Sequence, residues 1–393
     1  MPTKPRIAFI HSQISPYRLP LFREIAQAPD FDLCVFFLID RTPDREWAIT
    51  TNLDFEHVIL NGTTFKLPGG RNFKGEARLV NLNFDLLPAL HRWQPDIVIC
   101  FEFSLPTLMT FPYTRLYKKV FISWSEPPPY VERNLTFMQR QMRQWVIPRA
   151  EACIAVSSGA KEKYLSYGAA AEHTHIGIQT VDTEFYRQQA SHDARSVTLR
   201  EEHNIPADSS VIINVGSLIE RKGNTHLLQA FTLANQQLPN THLVLVGSGE
   251  LQEALQAQAV TLGIAEQVHF AGFCDQQTTA GWYHTADLFA FSTLEDTFGL
   301  VVNEAMASGL PVLSSIYAGA TADLVREGEN GYPIDPTDHQ HFADLMIHIL
   351  SQPELAWQMG QESQHIIANF GIAESAAGYV AAIRDVIQQM HHS

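Results

Sequence analysis

Ala286–Ser315 reads ADLFAFSTLEDTFGLVVNEAMASGLPVLSS. LFAF is a short apolar and aromatic run that ends in the polar pair Ser292-Thr293, the pattern of a buried strand. VVNEAMA has the composition of a helix, and Gly309 and Pro311 stop it, since proline has no N–H to continue the ladder. LPVLSS then reads as a second strand. Strand, loop, helix and strand in this order call for a parallel pair joined by a crossover helix.

The same alternation runs through the rest of the chain. RIAFIH, FDLCVFFLI, PDIVICFEF, KKVFISW and EACIAVSS are strand-like, with amphipathic stretches such as LPLFREIAQA and AKEKYLSYG between or after them. SVIINVGS, THLVLVGSG and QVHFAGF open a second series, and a polar passage from about Tyr186 to Pro206 separates the two. The expectation is an α/β chain of two doubly wound domains facing each other across a cleft. Their expected limits are 1–190 and 205–371, with a C-terminal helix, 372–393, that returns to the first domain. In such sheets ligands sit outside the carboxyl ends of the strands.

Composition narrows the function. The 393 residues carry a formal charge of -15, which argues against a nucleic-acid binder, because phosphate neutralisation needs a basic surface. Cys34, Cys100, Cys153 and Cys274 lie far apart and form no C-x-x-C pair, so they read as free thiols in a reducing cytosol. MPTKPRIAFIHSQ is too short in its apolar part for a signal peptide, and no apolar run approaches the ~20 residues of a membrane span. A cytoplasmic protein is expected, soluble or peripheral on the inner face of the membrane.

Within the opening stretch, Asp296 and Glu304 flank a loop and a helix start. The Phe298-Gly299-Leu300-Val301 backbone offers amide N–H groups at a helix N-terminus, where partial positive charge favours a phosphate. A carboxylate nearby is suited to accept hydrogen bonds from a vicinal diol such as a ribose. Thr293-x-x-Asp296 also resembles a capping box, a competing reading for Glu295 and Asp296. Glu304 is harder to explain that way, since an unpaired carboxylate in an apolar helix is expensive. Upstream, VGSLIERKGNTHLLQAF has a strand ending at Gly216 and a loop carrying Arg221 and Lys222. A fixed cation there would stabilise a departing diphosphate. Gly247 and Gly272 mark further strand ends on the same rim.

These features together resemble the retaining GT-B glycosyltransferases, specifically glycosyltransferase family 4, over nearly the whole chain. The matching residues are Asp296 with Glu304 before AMASGLPV, Gly216-Ser217-Leu218 with Lys222-Gly223, and AGATADLVREGENGYPIDPTD. The resemblance implies a nucleotide-diphosphate-sugar donor, with Glu304 on the ribose, Lys222 on the diphosphate and the Gly299, Leu300 and Val301 amides on phosphate oxygens. It implies that Asp296, or Glu295 one residue earlier, orients the sugar, and that Phe270 to Phe273 face the base. Ser217 stands where the family carries arginine, and Arg221 is the nearest replacement for that charge. No metal or other cofactor is implied, and Asp30-Phe31-Asp32, the sole Asp-x-Asp, reads as a turn.

The first domain would hold the acceptor, a saccharide or lipid-linked saccharide. His11, Tyr17, Arg18 and Glu126, all near strand ends, are its candidate residues. Between Arg115 and Arg149 seven Lys or Arg outnumber two Glu. A helical wheel puts Leu135, Met138, Met142 and Trp145 on one face and Arg133, Arg140 and Arg143 opposite, the pattern of a core helix with a basic outer face or of contact with an anionic membrane. The expected activity is sugar transfer to an acceptor hydroxyl with retention, in bacterial surface polysaccharide or glycolipid assembly. The rivals are a GT-B nucleotide-sugar 2-epimerase and a non-catalytic nucleotide-sugar-binding protein.

Overall fold

The structure, a computed structural model, describes residues 4–40, 53–67, 78–101, 104–126, 135, 137–189 and 193–392. The chain divides into two compact units, Met1–Thr180 with Ile372–Ser393, and Val181–Gly371. In the first, β1 (Arg6–Gln13), α1 (Leu19–Ala26), β2 (Asp32–Ile39) and β3 (His57–Ile59) are followed by the antiparallel pair β4 (Thr63–Leu67) and β5 (Arg78–Leu82). Then come α2 (Leu86–Trp93), β6 (Ile97–Phe101), α3 (Leu105–Leu116), β7 (Val120–Ser125), α4 (Phe137–Val146), β8 (Ala152–Ala155), α5 (Ser158–Ser166) and β9 (Thr174–Ile176). Seven strands pair in the order β3-β2-β1-β6-β7-β8-β9, parallel throughout.

The second unit starts with α6 (Thr183–Gln189) and α7 (Asp193–Glu202). It continues through β10 (Ser210–Val215), α8 (Asn224–Gln237), β11 (Thr241–Val246), α9 (Gln252–Leu262), β12 (Val268–Gly272), α10 (Gln276–Thr285) and β13 (Leu288–Phe291). α11 (Leu300–Ala307), β14 (Val312–Ser315), α12 (Gly319–Leu324), β15 (Gly331–Ile334), α13 (His339–Leu350) and α14 (Pro353–Ile367) complete it. Its sheet has the order β12-β11-β10-β13-β14-β15, again parallel. Both sheets are doubly wound and Rossmann-like, as the alternation implied. Their strands are apolar on both faces because helices cover both sides, and the β10 and β11 interiors, Ile212 and Leu243 among them, are fully buried.

Two expectations change. The described residues between 186 and 206 do not form a spacer: α6 packs on α10 and α11, α7 packs on α10, and Tyr186 is buried, and the division falls between Thr180 and Val181. Pro353–His392 is also helical and apolar enough, by length and composition alone, to cross a membrane. Its two helices bury their apolar stripes in the units instead. α14 packs on α11 and α13, and α15 (Ile372–His392) lays Tyr379, Ala382, Ile383 and Val386 against α1, β8 and β9 of the first unit. Arg384 of α15 holds both oxygens of Asp30, at 2.8 and 3.0 Å, which accounts for that carboxylate in the Asp-x-Asp turn.

Candidate functional site

In the second unit the sheet reverses its winding between β10 and β13, and the loops that leave these two strands meet at their carboxyl ends. The loop after β10 closes in a 3-10 turn, Glu220–Lys222, and Gly223 starts α8. The loop after β13 runs from Ser292 to Gly299. Backbone and side-chain bonds tie the two together: Leu294 N–H donates to Arg221 O at 2.8 Å, and the Thr293 hydroxyl donates to the same oxygen at 3.1 Å. Thr293 is therefore a loop strut. The capping-box alternative fails, since α11 starts only at Leu300 with Gly299 as its N-cap.

Lys222 Nζ donates to Asp296 Oδ2 at 2.5 Å and lies 5.1 Å from the centre of the Phe291 ring. Arg221 Nη1 is 3.7 Å from the same oxygen and donates to Glu295 O at 2.9 Å. Phe298 N–H donates to Asp296 Oδ1 at 3.2 Å. Burial alone would push the Asp296 carboxyl up, but Lys222, Arg221 and that amide outweigh it and hold the group below its ordinary value. Arg221 thus brings its charge to the cluster, while Ser217 stands exposed on the same loop. Asp296 is the carboxylate that Lys222 reaches, and Glu295 supplies its carbonyl to Arg221.

Gly299 turns the chain into α11 with φ 97°, and a Cβ there would stand 2.8 Å from a Phe291 ring carbon. Only glycine makes this turn without strain. The first-turn N–H groups of Leu300 and Val301 have no partner within the helix, as at every helix start. Phe298 itself is buried, so only its backbone belongs to the rim. One turn on, Glu304 Oε2 accepts from the Tyr283 hydroxyl at 2.9 Å, and Tyr186 also hydrogen-bonds to this carboxylate. Desolvation raises Glu304 to about 7, against the opposing pull of the two phenols. Sequence reasoning found Glu304 and missed both tyrosines. Neither carries a local signal, because α6 and α10 bring them in from 118 and 21 positions away.

Gly216, Gly247 and Gly272 line up at adjacent strand ends, where Gly247 N–H donates to Gly272 O at 2.8 Å. Phe270 packs against the core, whereas Phe273, just past β12, is 57 % exposed. Of the two aromatics, Phe273 is the more exposed.

In the first unit the acceptor-side candidates separate. Arg18 is buried and forms an ion pair with Glu126, its guanidinium 5.0 Å from the Trp124 ring, so neither charge stands on an open surface. Tyr17 lies beside Arg18, half-buried. His11 is buried among Phe22, Phe37, Phe101 and Trp124, its Nδ1 bonded to Gln13 O. Burial and the nearby Arg18 cation lower it to about 3, so the ring is neutral. It lines a cavity of about 170 Å³ with Ser12, Asn81, Phe101, Ser104 and Leu105.

The wheel for the basic segment needs correction. On α4, Arg143 is buried and donates to Gln139 O, while Met138 is 77 % exposed and Trp145 packs edge-on to Phe111 yet stays partly open. Arg115 pairs with Glu151 at 2.6 Å and Lys119 with Asp96 at 3.6 Å. Lys118, Arg140 and Arg149 are left as exposed cations among the described residues. Residues 127–134, Arg133 among them, lie outside the described residues.

Known proteins resemble this chain in sequence over part of its length and in fold over nearly all of it. Residues 196–366 match the family model described as Glycosyl transferases group 1. The lipopolysaccharide core biosynthesis glycosyltransferase LpsE of Rhizobium meliloti is 31 % identical over 168 residues, 43 % of this chain and 47 % of that protein. The chain spans about half the length of the curated relatives it matches. Among solved structures, Anabaena Alr3699/HepE in complex with UDP superposes with a TM-score of 0.76 at 18 % identity, covering 96 % of this chain and 99 % of that one. A glycosyltransferase from Rickettsia africae gives 0.75 at 14 %, covering 98 % and 99 %. At such identities the likeness speaks to the fold, and the fold of these neighbours is GT-B. Lys222, Asp296, Gly299 and Glu304 all fall inside the segment, residues 196–366, that is similar to the glycosyl transferases group 1 family, in a chain of two Rossmann-like units.

Proposed function

We propose that this chain is a retaining, family 4 glycosyltransferase that moves a sugar from a nucleotide-diphosphate sugar to the hydroxyl of a saccharide or lipid-linked saccharide. The observation that carries the reading is the meeting of Lys222, Asp296, Glu304 and the α11 N-terminus at the switch point of one sheet. Lys222 and the first α11 amides hold the diphosphate, Arg221 adds charge where Ser217 stands, and Glu304 takes the ribose. Asp296 keeps Lys222 in place and orients the donor sugar. Departure of the nucleoside diphosphate leaves positive charge at the anomeric carbon, and the acceptor hydroxyl attacks from the same face, its proton passing to the departing diphosphate oxygen. The protein supplies electrostatic stabilisation and excludes water, and it needs no nucleophile of its own. Fixed cations take the place of a metal in this reading. The likeness to LpsE, a lipopolysaccharide core biosynthesis glycosyltransferase, and to HepE, which holds UDP, supports polysaccharide assembly as the setting and a uridine donor as the first to try.

The test is thermal unfolding in EDTA with UDP, GDP and ADP. A ligand at a hundred times its Kd stabilises by ~2.7 kcal/mol. One nucleotide is expected to raise the midpoint of the wild type and not of Glu304→Ala. The corresponding nucleotide sugar is then expected to release nucleotide only with an acceptor present. An epimer formed without acceptor, or no response to any nucleotide, overturns the assignment.

A further inference from the structure

The surroundings of Glu304 differ from those of Asp296. Asp296 is met by cations, Glu304 by two phenols. Tyr283 is fully buried on α10 and donates to Oε2 at 2.9 Å, and its hydroxyl also lies 3.4 Å from Val301 O in the first turn of α11. Tyr186 is buried on α6, edge-on to the Tyr283 ring with centroids 6.1 Å apart. Burial raises both phenols far above their ordinary value, so each remains a donor throughout the working pH range. Glu304 itself is only partly buried. The two donors therefore reach it from the core side.

An ionised carboxylate has about four acceptor positions. Two phenols fill two of them, fix the side-chain rotamer, and leave the others towards the open side, the number that a vicinal diol needs. Glu304 stands four residues beyond Leu300, about 6 Å along the helix from the amides that would hold phosphate. Resting on the donor-site reading above, we propose that Tyr283 and Tyr186 are positioning residues that hold the Glu304 carboxylate as a paired acceptor for the 2′- and 3′-hydroxyls of a ribonucleotide. Tyr186 lies outside residues 196–366, so the site draws on chain that precedes the matched domain.

This arrangement couples ribose recognition to pH. Among the described residues, the groups acting on Glu304 are Tyr283 and Tyr186. Asp182 and the Gln276 side chain act on the Tyr186 phenol in turn, whereas His284 meets only the Tyr186 backbone, its Nε2 3.2 Å from Tyr186 O. α12 and α14, which also pack on α11, add no charge to it. Burial holds Glu304 near 7, and diol hydroxyls favour the ionised form. Removing a phenol donor moves the titration to higher pH.

The experiment is calorimetric binding to the full chain from pH 5.5 to 8.5. The probes are UDP, GDP and ADP, each with its 2′-deoxy counterpart, which carries the same phosphates and cancels their titration. In the wild type, the ribo-to-deoxy affinity ratio is expected to rise through pH 7, by up to tenfold per unit below the midpoint. Tyr283→Phe and Tyr186→Phe are each expected to move that midpoint upward and to lower the ratio at pH 7 by roughly threefold to tenfold. Glu304→Gln is expected to give a low ratio with no pH dependence. If either phenylalanine variant folds and matches the wild type in midpoint and ratio, that tyrosine is structural only and its positioning role falls. If both lose their fold, the wild type decides, because a ratio flat with pH overturns the inference. If the wild type binds no nucleoside diphosphate, the donor-site reading falls and takes this inference with it.

Discussion

The Lys222 ammonium has three N–H donors and gives one to Asp296 at 2.5 Å, which leaves two for a ligand. The pair is mostly buried, with side-chain exposures of 16 % and 13 %. Removing only the cation strands a carboxylate, whereas removing both charges does not. Lys222→Ala is therefore expected to destabilise the second unit by roughly 1–3 kcal/mol, with Arg221 at 3.7 Å limiting the loss. Adding Asp296→Asn is expected to recover most of that stability. Nucleotide affinity is expected to fall at least tenfold in both variants. Urea unfolding and calorimetry separate the two effects, and a double variant no more stable than Lys222→Ala would sink the argument.

α11 works as an element because its first turn is open and its start is sharply set. Gly299 sets it, with a φ that other residues adopt only under strain. Gly299→Ala is expected to cost about 1–3 kcal/mol and to weaken nucleotide binding as the Leu300 and Val301 amides shift. A denaturation midpoint equal to the wild type's would show that the Phe291 ring yields and the turn is not strained. α15 depends on close approach of another kind. Gly378 faces Ile176 O, where a Cβ would stand only 2.0 Å from the oxygen, so the helix can lie directly on the end of β9 and bury Tyr379. The periodicity of 372–393 predicted a helix. Its seat required the glycine contact to be seen.

For the molecule as a whole, two histidines, His11 buried and His269 half-buried, shape the response to acid. His11 in the first unit is lowered to about 3 and His269 in the second to about 4, both chiefly by burial. Their unfolded value is about 6.5. Folded histidine therefore binds fewer protons than unfolded between these limits, and stability falls as pH falls through the window. Glu304 has the opposite sign, because its folded value of about 7 exceeds the unfolded one, so the native state gains relative stability as pH drops from 7 towards 4.5. With each group worth up to about 1.4 kcal/mol per pH unit, the two histidines outweigh it. Urea midpoints are expected to fall gently from pH 6.5 to 4.5 and more steeply below, where the Glu304 share ends and Asp296 begins to lose its ionised partner role. Glu304→Gln is expected to steepen the upper part of the profile. Midpoints that rise on acidification would contradict the burial of these rings.

Local patterns in the chain were enough to read the alternation of strands and helices, the two doubly wound sheets, the position of Lys222 and Asp296 in loops that follow strands, and that of Glu304 on the next helix. Each of these rests on signals carried within a few residues: apolar runs that end in polar residues, a glycine before a helix, a Gly-Leu-Pro stop. Tertiary structure alone decided which groups share a desolvated space. It joined Tyr186 and Tyr283 to Glu304, buried Arg18 against Glu126, and turned Arg143 inward while leaving Met138 exposed. A wheel gives the phase of a helix, but the sheet it meets chooses the buried face. Electrostatic partners are likewise selected by burial, since a charge or phenol taken out of water must find its partner among whatever side chains the packing brings within about 3 Å.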